Sequence, residues 1–335
     1  MSILQFICPK CKRTIPVRGG KEVYGKKLPC RGCNHVFVLR DPNRKELPKE
    51  PKAKTQKLQR QQKKDKKSFG PYAHLEFVGR GGMGEVYKVR EPELGTDVAL
   101  KILPKAFDDM EEKQQRFLRE AHLAMKLKHP NIVQVHKVGN IEDQHYFTME
   151  FIDGAELNTV IKDKKIALAT MLQIFIKVCY AIEHAHEQNL IHRDLKSENI
   201  MLTKQGEPKV MDFGLAKPTE DNQRLTAAGV ILGTITHMSP EQAMGRTDEL
   251  DRRTDVYSLG VILYNILAGQ LPFQPGPIYK MLEQIMKIPP IAPHEINPEI
   301  SKKLSGVCLK ALEKEKEQRF QKAEELGKAV EKITL

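Results

Sequence analysis

The chain has 335 residues, a formal net charge of +12 and six cysteines. That length suffices for a large core in more than one lobe, and the few cysteines exclude a disulfide-dense secreted scaffold. No secretory signal opens the chain, and no stretch reads as long and apolar enough to span a bilayer; the best run, Val256 to Ala268, carries Tyr257, Ser258 and Asn265 and reads as a buried helix.

Two C-x-x-C knuckles come first, Cys8-Pro9-Lys10-Cys11 and Cys30-Arg31-Gly32-Cys33, with 18 residues between them. Each offers two thiolates on a tight turn, and the spacing suits a tetrahedral four-cysteine zinc site formed by Cys8, Cys11, Cys30 and Cys33. A segment of about 40 residues can hardly bury enough apolar surface to fold unaided, so a metal would supply the missing stabilisation. Two disulfides are the alternative, disfavoured because nothing points to an oxidising compartment. Residues 1–40 resemble a small bacterial zinc ribbon with strands at Ile15-Pro16-Val17 and His35-Val36-Phe37-Val38. His35 reads as a surface residue, since four thiolates fill the site.

Residues 41–70 are rich in Lys, Gln and Pro and nearly empty of large apolar side chains, the composition of a disordered linker. Residues 1–40 carry nine Lys/Arg and one acid, and residues 41–68 carry eleven and four, so everything after residue 68 is left with −3 of the total +12. The basic character belongs to this arm. It would dock on an acidic partner protein or simply stay solvated; nucleic acid is the less favoured partner, because few aromatics are available to stack on bases.

Gly79-Arg80-Gly81-Gly82-Met83-Gly84 then joins two β-like runs, Leu75–Val78 and Val86–Val89. Glycines let backbone close over phosphates without a Cβ in the way. The run after Gly84 alternates like a strand, whereas a dinucleotide-binding turn would need a helix there. Lys101, in Val98-Ala99-Leu100-Lys101, follows on the next strand as a phosphate-binding lysine. The segment Glu111 to Lys128 reads as an amphipathic helix ended by His129-Pro130-Asn131, with Glu120 beside its apolar stripe and available to orient Lys101.

His192-Arg193-Asp194-Leu195-Lys196-Ser197-Glu198-Asn199 precedes Asp212-Phe213-Gly214. Between them the apolar runs Ile200–Leu202 and Val210–Met211 flank a turn-like Gln205–Pro208, the pattern of a hairpin. Asp194 would accept a hydroxyl proton, and Asn199 and Asp212 would hold Mg²⁺ ions that bridge phosphate oxygens. These are the parts phosphoryl transfer needs.

Residues from about 72 to about 330 therefore resemble a protein kinase, of the bacterial Hanks-type (eukaryotic-like) serine/threonine kind. The resemblance implies an α+β, bilobal kinase fold with a β-rich N-lobe (about 71–150) and an α-helical C-lobe (about 151–331), preceded by the small four-cysteine zinc ribbon. It implies ATP under Gly79, Gly81 and Gly84, with Val86, Ala99, Met149 and Met201 around adenine. The backbone of Glu150 and Ile152 would face the base. Lys101 held by Glu120 would grip the phosphates, and Lys196 beside Asp194 matches the serine/threonine pattern. Glu156 and Glu198 match positions that contact basic substrate residues. Glu241, in Met238-Ser239-Pro240-Glu241, would pair with Arg319, and Asp255 would brace the catalytic loop.

Arg193 beside Asp194 implies control by activation-segment phosphorylation, with Thr226 the first candidate and Thr219 the second; Thr234 would contact Asp194 instead. Ile235-Thr236-His237 departs from the more usual Pro-x-Tyr, which puts substrate specificity in question and leaves the chemistry untouched. Many such kinases carry a transmembrane helix and an external sensor after the kinase region. None follows here, so the expectation is a cytoplasmic enzyme acting on protein substrates.

Overall fold

The computed structural model describes residues 3–8, 11–18, 27–30, 32–33, 36–38, 68–81, 84–93, 95–103, 111–213, 235–273 and 276–334. The chain divides into two compact units, Met1–Lys63 and Lys64–Leu335.

Among its described residues the first unit holds two antiparallel hairpins. Strands β1 (Ile3–Ile7) and β2 (Thr14–Arg18) pair with Leu4 opposite Val17, and β3 (Lys27–Pro29) pairs with β4 (Val36–Val38). Strands β1 and β3, which the sequence reading did not mark, lead directly into the two knuckles. Lys12 takes a left-handed conformation (φ 61°) and its N–H donates to the Cys8 carbonyl, which turns the chain back toward β2.

The second unit opens with β5 (Ser68–Phe69) and β6 (Tyr72–Ala73) and continues into β7 (Glu76–Gly81), β8 (Gly84–Arg90) and β9 (Asp97–Ile102). Helix α1 (Glu111–Ala124) follows, then β10 (Val135–Ile141) and β11 (Gln144–Glu150). These strands build a five-stranded antiparallel sheet in the order β10-β11-β9-β8-β7. Strand β9 lies in its middle, and Val98 to Ile102 are all buried there, which is why this run is nearly continuously apolar. Helix α1 buries Phe117 and Ala121 against the sheet, with the Phe117 and Phe147 rings 5.0 Å apart. The helix ends at Ala124, with one further α-type bond from Met125 N–H to the Ala121 carbonyl (3.0 Å), short of the proline that was expected to end it.

After β12 (Gly154–Glu156) the chain becomes mostly helical, with α2 (Leu157–Asp163) and α3 (Leu168–Glu187). Strands β13 (Ile200–Thr203) and β14 (Pro208–Val210) form the expected hairpin, to which β12 adds a third strand. Helices α4 (Pro240–Ala243), α5 (Arg253–Ala268), α6 (Ile278–Lys287), α7 (Pro293–Ile296), α8 (Lys302–Ala311) and α9 (Ala323–Thr334) complete the lobe. One apolar cluster links α3, α5, α8 and α9 through Phe175, Ile182, Leu259, Ile262, Leu304 and Leu326.

The expectation that no segment has the length and apolarity of a membrane span needs correcting. Helix α3 has both over its 20 residues. Its apolar side chains are packed against α5 and α9, as those of a lobe's core helix must be, which explains the composition without a bilayer.

Candidate active site

The cleft between sheet and helical lobe has a volume of about 710 Å³. Its walls include Gly79, Val86, Ala99, Lys101, Met149, Glu150, Ile152, Lys196, Asn199, Met201 and Asp212, all proposed from the sequence. Val133, Phe151 and Met211 also line it and were missed. Their signal is weak, being ordinary apolar residues at strand ends. Gly81 and Gly84 pair with each other where β7 meets β8, and among the described residues only Gly79 of the three glycines reaches the cleft wall. Gly84 has a packing reason as well: a Cβ there would lie 2.7 Å from the Ile102 carbonyl oxygen.

Lys101 is buried on β9, and its ammonium donates to Asp212 Oδ1 at 2.9 Å. Burial opposes ionisation of Asp212, but the adjacent Lys101, with help from His192 and Lys196, holds its carboxyl below the usual range. Asp212 also takes a left-handed backbone conformation (φ 55°), a strain tolerated at sites that must aim a side chain. The pair with Asp212 is one of the contacts of Lys101; the Glu120 side chain, expected to orient it, lies outside the described residues. Phe213 is buried, with its ring 4.7 Å from that of His192. The His192 ring donates through Nε2 to the Met211 carbonyl at 3.1 Å, so the segment carrying Asp212 is fastened to the loop carrying Asp194.

On that loop Lys196 Nζ donates to Asp194 Oδ2 at 3.1 Å, and Asn199 Nδ2 donates to the Asp194 carbonyl at 2.9 Å. Asn199 in turn accepts at its carbonyl from Met211 N–H at 2.9 Å. Below them Asp255, fully buried in the first turn of α5, accepts from the backbone N–H groups of His192 (2.7 Å) and Arg193 (2.9 Å). His186 Nε2 completes its shell at 2.7 Å. Burial opposes this charge, yet His186 and those donors keep Asp255 below the usual carboxylate range. The bracing role expected of Asp255 is realised, with His186 as a partner that no local sequence signal announces.

The segment after residue 234 is anchored just as firmly. Ser239 caps α4 in a reciprocal capping box with Gln242, whose amide also donates to the Arg193 carbonyl at 2.7 Å. Glu241 forms a bidentate pair with buried Arg319 (2.9 and 2.8 Å), and Thr254 Oγ1 donates to the same carboxylate. His237 is buried; burial and Lys196 push its pKa down to about 4, against a weaker upward pull from Asp194. Nothing in its sequence context foretold that burial. The candidate phosphosites Thr219 and Thr226, with Thr234, Gly82 and Gly214, lie outside the described residues.

An α+β, bilobal scaffold that brings the Lys101–Asp212 pair, Lys196 and Asn199 onto the wall of one cleft is the arrangement of the protein kinase class. The family model for the protein kinase domain matches residues 72–329, and the chain belongs to that family. It is 39% identical over 264 residues to a probable serine/threonine-protein kinase of Clostridium perfringens, covering 78% of this chain and 38% of that protein. It is 38% identical to the serine/threonine-protein kinase PknB of Mycobacterium leprae, covering 75% and 41% respectively. The chain thus spans about two fifths of the length of these relatives. Among solved structures, the PknI kinase domain of Mycobacterium tuberculosis superposes with a TM-score of 0.62 at 27% identity, covering 79% of this chain and 97% of that one.

Near the N-terminus the sulfur atoms of Cys8, Cys11, Cys30 and Cys33 all lie within 4.8 Å of one another. Two of the separations are 3.7 Å (Cys8–Cys33) and 3.5 Å (Cys11–Cys30). A tetrahedron with metal–sulfur bonds of about 2.3 Å has edges of about 3.8 Å, whereas a disulfide needs about 2.05 Å. Gly32 N–H donates to Cys30 Sγ at 3.4 Å, so the second knuckle turns a backbone N–H toward sulfur. This donor set and its spacing fit a four-thiolate metal site.

Proposed function

We propose that this chain is a serine/threonine protein kinase that transfers the γ-phosphoryl group of ATP to hydroxyls of protein substrates. The observation that carries the reading is the Lys101–Asp212 pair, Lys196 and Asn199 on the wall of one cleft, with Asp194 bonded to both Lys196 and Asn199. Adenine would lie between Val86 and Ala99 above and Met201 below, beside the Met149 to Ile152 strand end. Lys101 would bind phosphate oxygens. Asp194, held by Asn199 and Lys196, would orient the substrate hydroxyl and accept its proton, and Lys196 would stabilise charge on the transferring group. This is catalysis by positioning and electrostatics.

The ionised Asp212 and the amide oxygen of Asn199, whose nitrogen is committed to Asp194, suit magnesium. Bound there, Mg²⁺ supplies charge neutralisation for the phosphates. Zinc is the metal proposed for the four cysteines, in a structural role, and a reducing, cytoplasmic setting suits such thiolates. For the basic arm two readings stand level, docking on an acidic partner protein and a solvated linker, with nucleic acid behind them; binding to an acidic protein that weakens steeply with salt would favour the first.

The test is incubation with Mg-ATP of the wild type beside Asp194→Asn, with phosphosites mapped by mass spectrometry. Phosphate on Thr226 or Thr219 that is lost in the variant supports the kinase reading and an autophosphorylated activation segment. ATP binding without transfer in either protein would favour a nucleotide-binding scaffold instead.

A further inference from the structure

The helical lobe holds another cavity, of about 570 Å³, away from the cleft. Helices α2, α3 and α5, the turn between α2 and α3 and the end of α7 border it, with Ile161, Ile166, Met171, Ile266 and Ile296 among its apolar lining. It sits at the C-terminal end of α5, whereas Asp255, which holds the catalytic loop, sits in the first turn of that helix. The volume falls within the roughly 300–1,000 Å³ of small-molecule sites, which combine an apolar lining with a few placed polar groups.

Its polar groups are placed in that way. Asn265 is only 9% exposed and lines the cavity, yet its carboxamide bonds to none of the described residues. Asn297 on the same wall is satisfied: it donates to the Leu267 carbonyl at 3.1 Å and accepts from Glu299 N–H at 3.2 Å. Buried carboxamides are nearly always bonded, and the space before Asn265 is far larger than the ~30 Å³ that one water takes in the liquid. Lys164 and Glu299, a cation and an anion, are exposed lining residues, and neither forms an ion pair among the described residues. Lys164 caps α2 in a left-handed conformation (φ 51°), and Asp163 beside it pairs with Lys165 instead. A Cβ at Gly269 would lie 3.6 Å from Lys164 Nζ, which sets that ammonium beside the residue that ends α5.

We propose that this cavity is a binding site for a free α-amino acid with an apolar side chain. The side chain lies on the isoleucines and Met171, the carboxylate meets Lys164, and the ammonium meets Glu299. The Asn265 carboxamide offers both a donor and an acceptor, so it serves a head group that carries both kinds of partner. A fatty acid would suit the lining, but its carboxylate would face Glu299 and the negative C-terminal end of α5; a simple amine would face Lys164. A head of both signs agrees with both side chains. The inference does not depend on the kinase reading, since no residue of the cleft takes part in it.

The experiment titrates the full chain with L-leucine, L-methionine and L-phenylalanine, followed by calorimetry and by NMR of the isoleucine methyl groups. Saturable binding is expected, with the methyl signals of Ile166, Ile266 and Ile296 shifted and that of Ile152, on the wall of the cleft, unmoved. Lys164→Met and Glu299→Gln change exposed side chains and should each weaken binding about tenfold, the loss of one charge-assisted hydrogen bond. Asn265→Leu keeps the volume and should weaken it by a similar factor. Octanoate, which lacks the ammonium, and leucine methyl ester, which lacks the carboxylate, should each bind about tenfold more weakly than leucine. Absence of saturable binding up to about 10 mM would overturn the proposal. So would octanoate binding as tightly as leucine, binding indifferent to both exposed variants, or shifts at Ile152 in place of the other three.

Discussion

Among its described side chains, the unit of residues 1–63 buries Cys8 and Cys30 and leaves Ile7, Val36 and Val38 exposed. The unit of residues 64–335 closes instead over a continuous apolar cluster from Leu127 to Val330. The first converges four thiols on one point; the second converges apolar side chains on a volume and can also bury charges such as Asp255 and Arg319. Small size explains the difference, since a short segment has too little interior for burial to offset chain entropy. Each unit should therefore fail to its own insult and ignore the other's.

Chelation is the sharpest way to break the comparison. Stripping zinc from the ribbon should remove most of its folding energy, on the order of 10 kcal/mol for structural zinc at neutral pH. Amide exchange should then rise over residues 3–38 while the melting of the kinase unit stays unchanged; a kinase unit that melted earlier would refute independence. The mirror insult is Arg319→Ala. It strands the Glu241 carboxylate, which burial disfavours and Arg319 keeps ionised, at a cost of about 3–5 kcal/mol. Chemical denaturation should show that loss, with zinc content unaltered.

A third prediction concerns acid. The unfolded state takes up a proton at His237 as pH falls below about 6.5, whereas the native ring stays neutral down to about 4. Stability from this residue is therefore full above pH ~6.5 and falls by roughly 3 kcal/mol as pH drops toward 4. His237→Phe should flatten the slope of unfolding free energy between those limits, whatever it does to the absolute value. The smallest effect is expected of Gly260→Ala. The new Cβ would lie 2.9 Å from Ala311 Cβ where α5 packs on α8, so overpacking outweighs the gain in helix propensity by about 1–2 kcal/mol. Denaturant titration beside the wild type checks it.

Motif chemistry made much of the cleft legible in advance. Lys101, Asp194, Lys196, Asn199 and Asp212 were identifiable because phosphoryl transfer constrains residue type and order along the chain, and the hairpin between the last two reads from its apolar runs and turn. What escaped was long-range. The bonds from Asp255 reach His186 across 69 residues of sequence, and buried His237 lines a small cavity with Arg193, Asp194 and Leu195 of the catalytic loop, far from it in sequence. Helix α3 misled for a related reason: burial on several sides and insertion in lipid select the same composition, and only the surrounding helices tell them apart. In the ribbon, β1 and β3 are short, and their chemistry is dominated by the cysteines they deliver.

The Glu241–Arg319 pair, separated by 78 positions, has a consequence for synthesis. A ribosome releases the chain from its N-terminus, so Glu241 emerges long before its counter-ion. Until residue 319 clears the exit tunnel, the carboxylate must stay hydrated, and the segment it anchors cannot settle against α5. The helical lobe would then lock late in translation, and a nascent chain stalled before that arginine would hold its cleft residues in an unfinished frame.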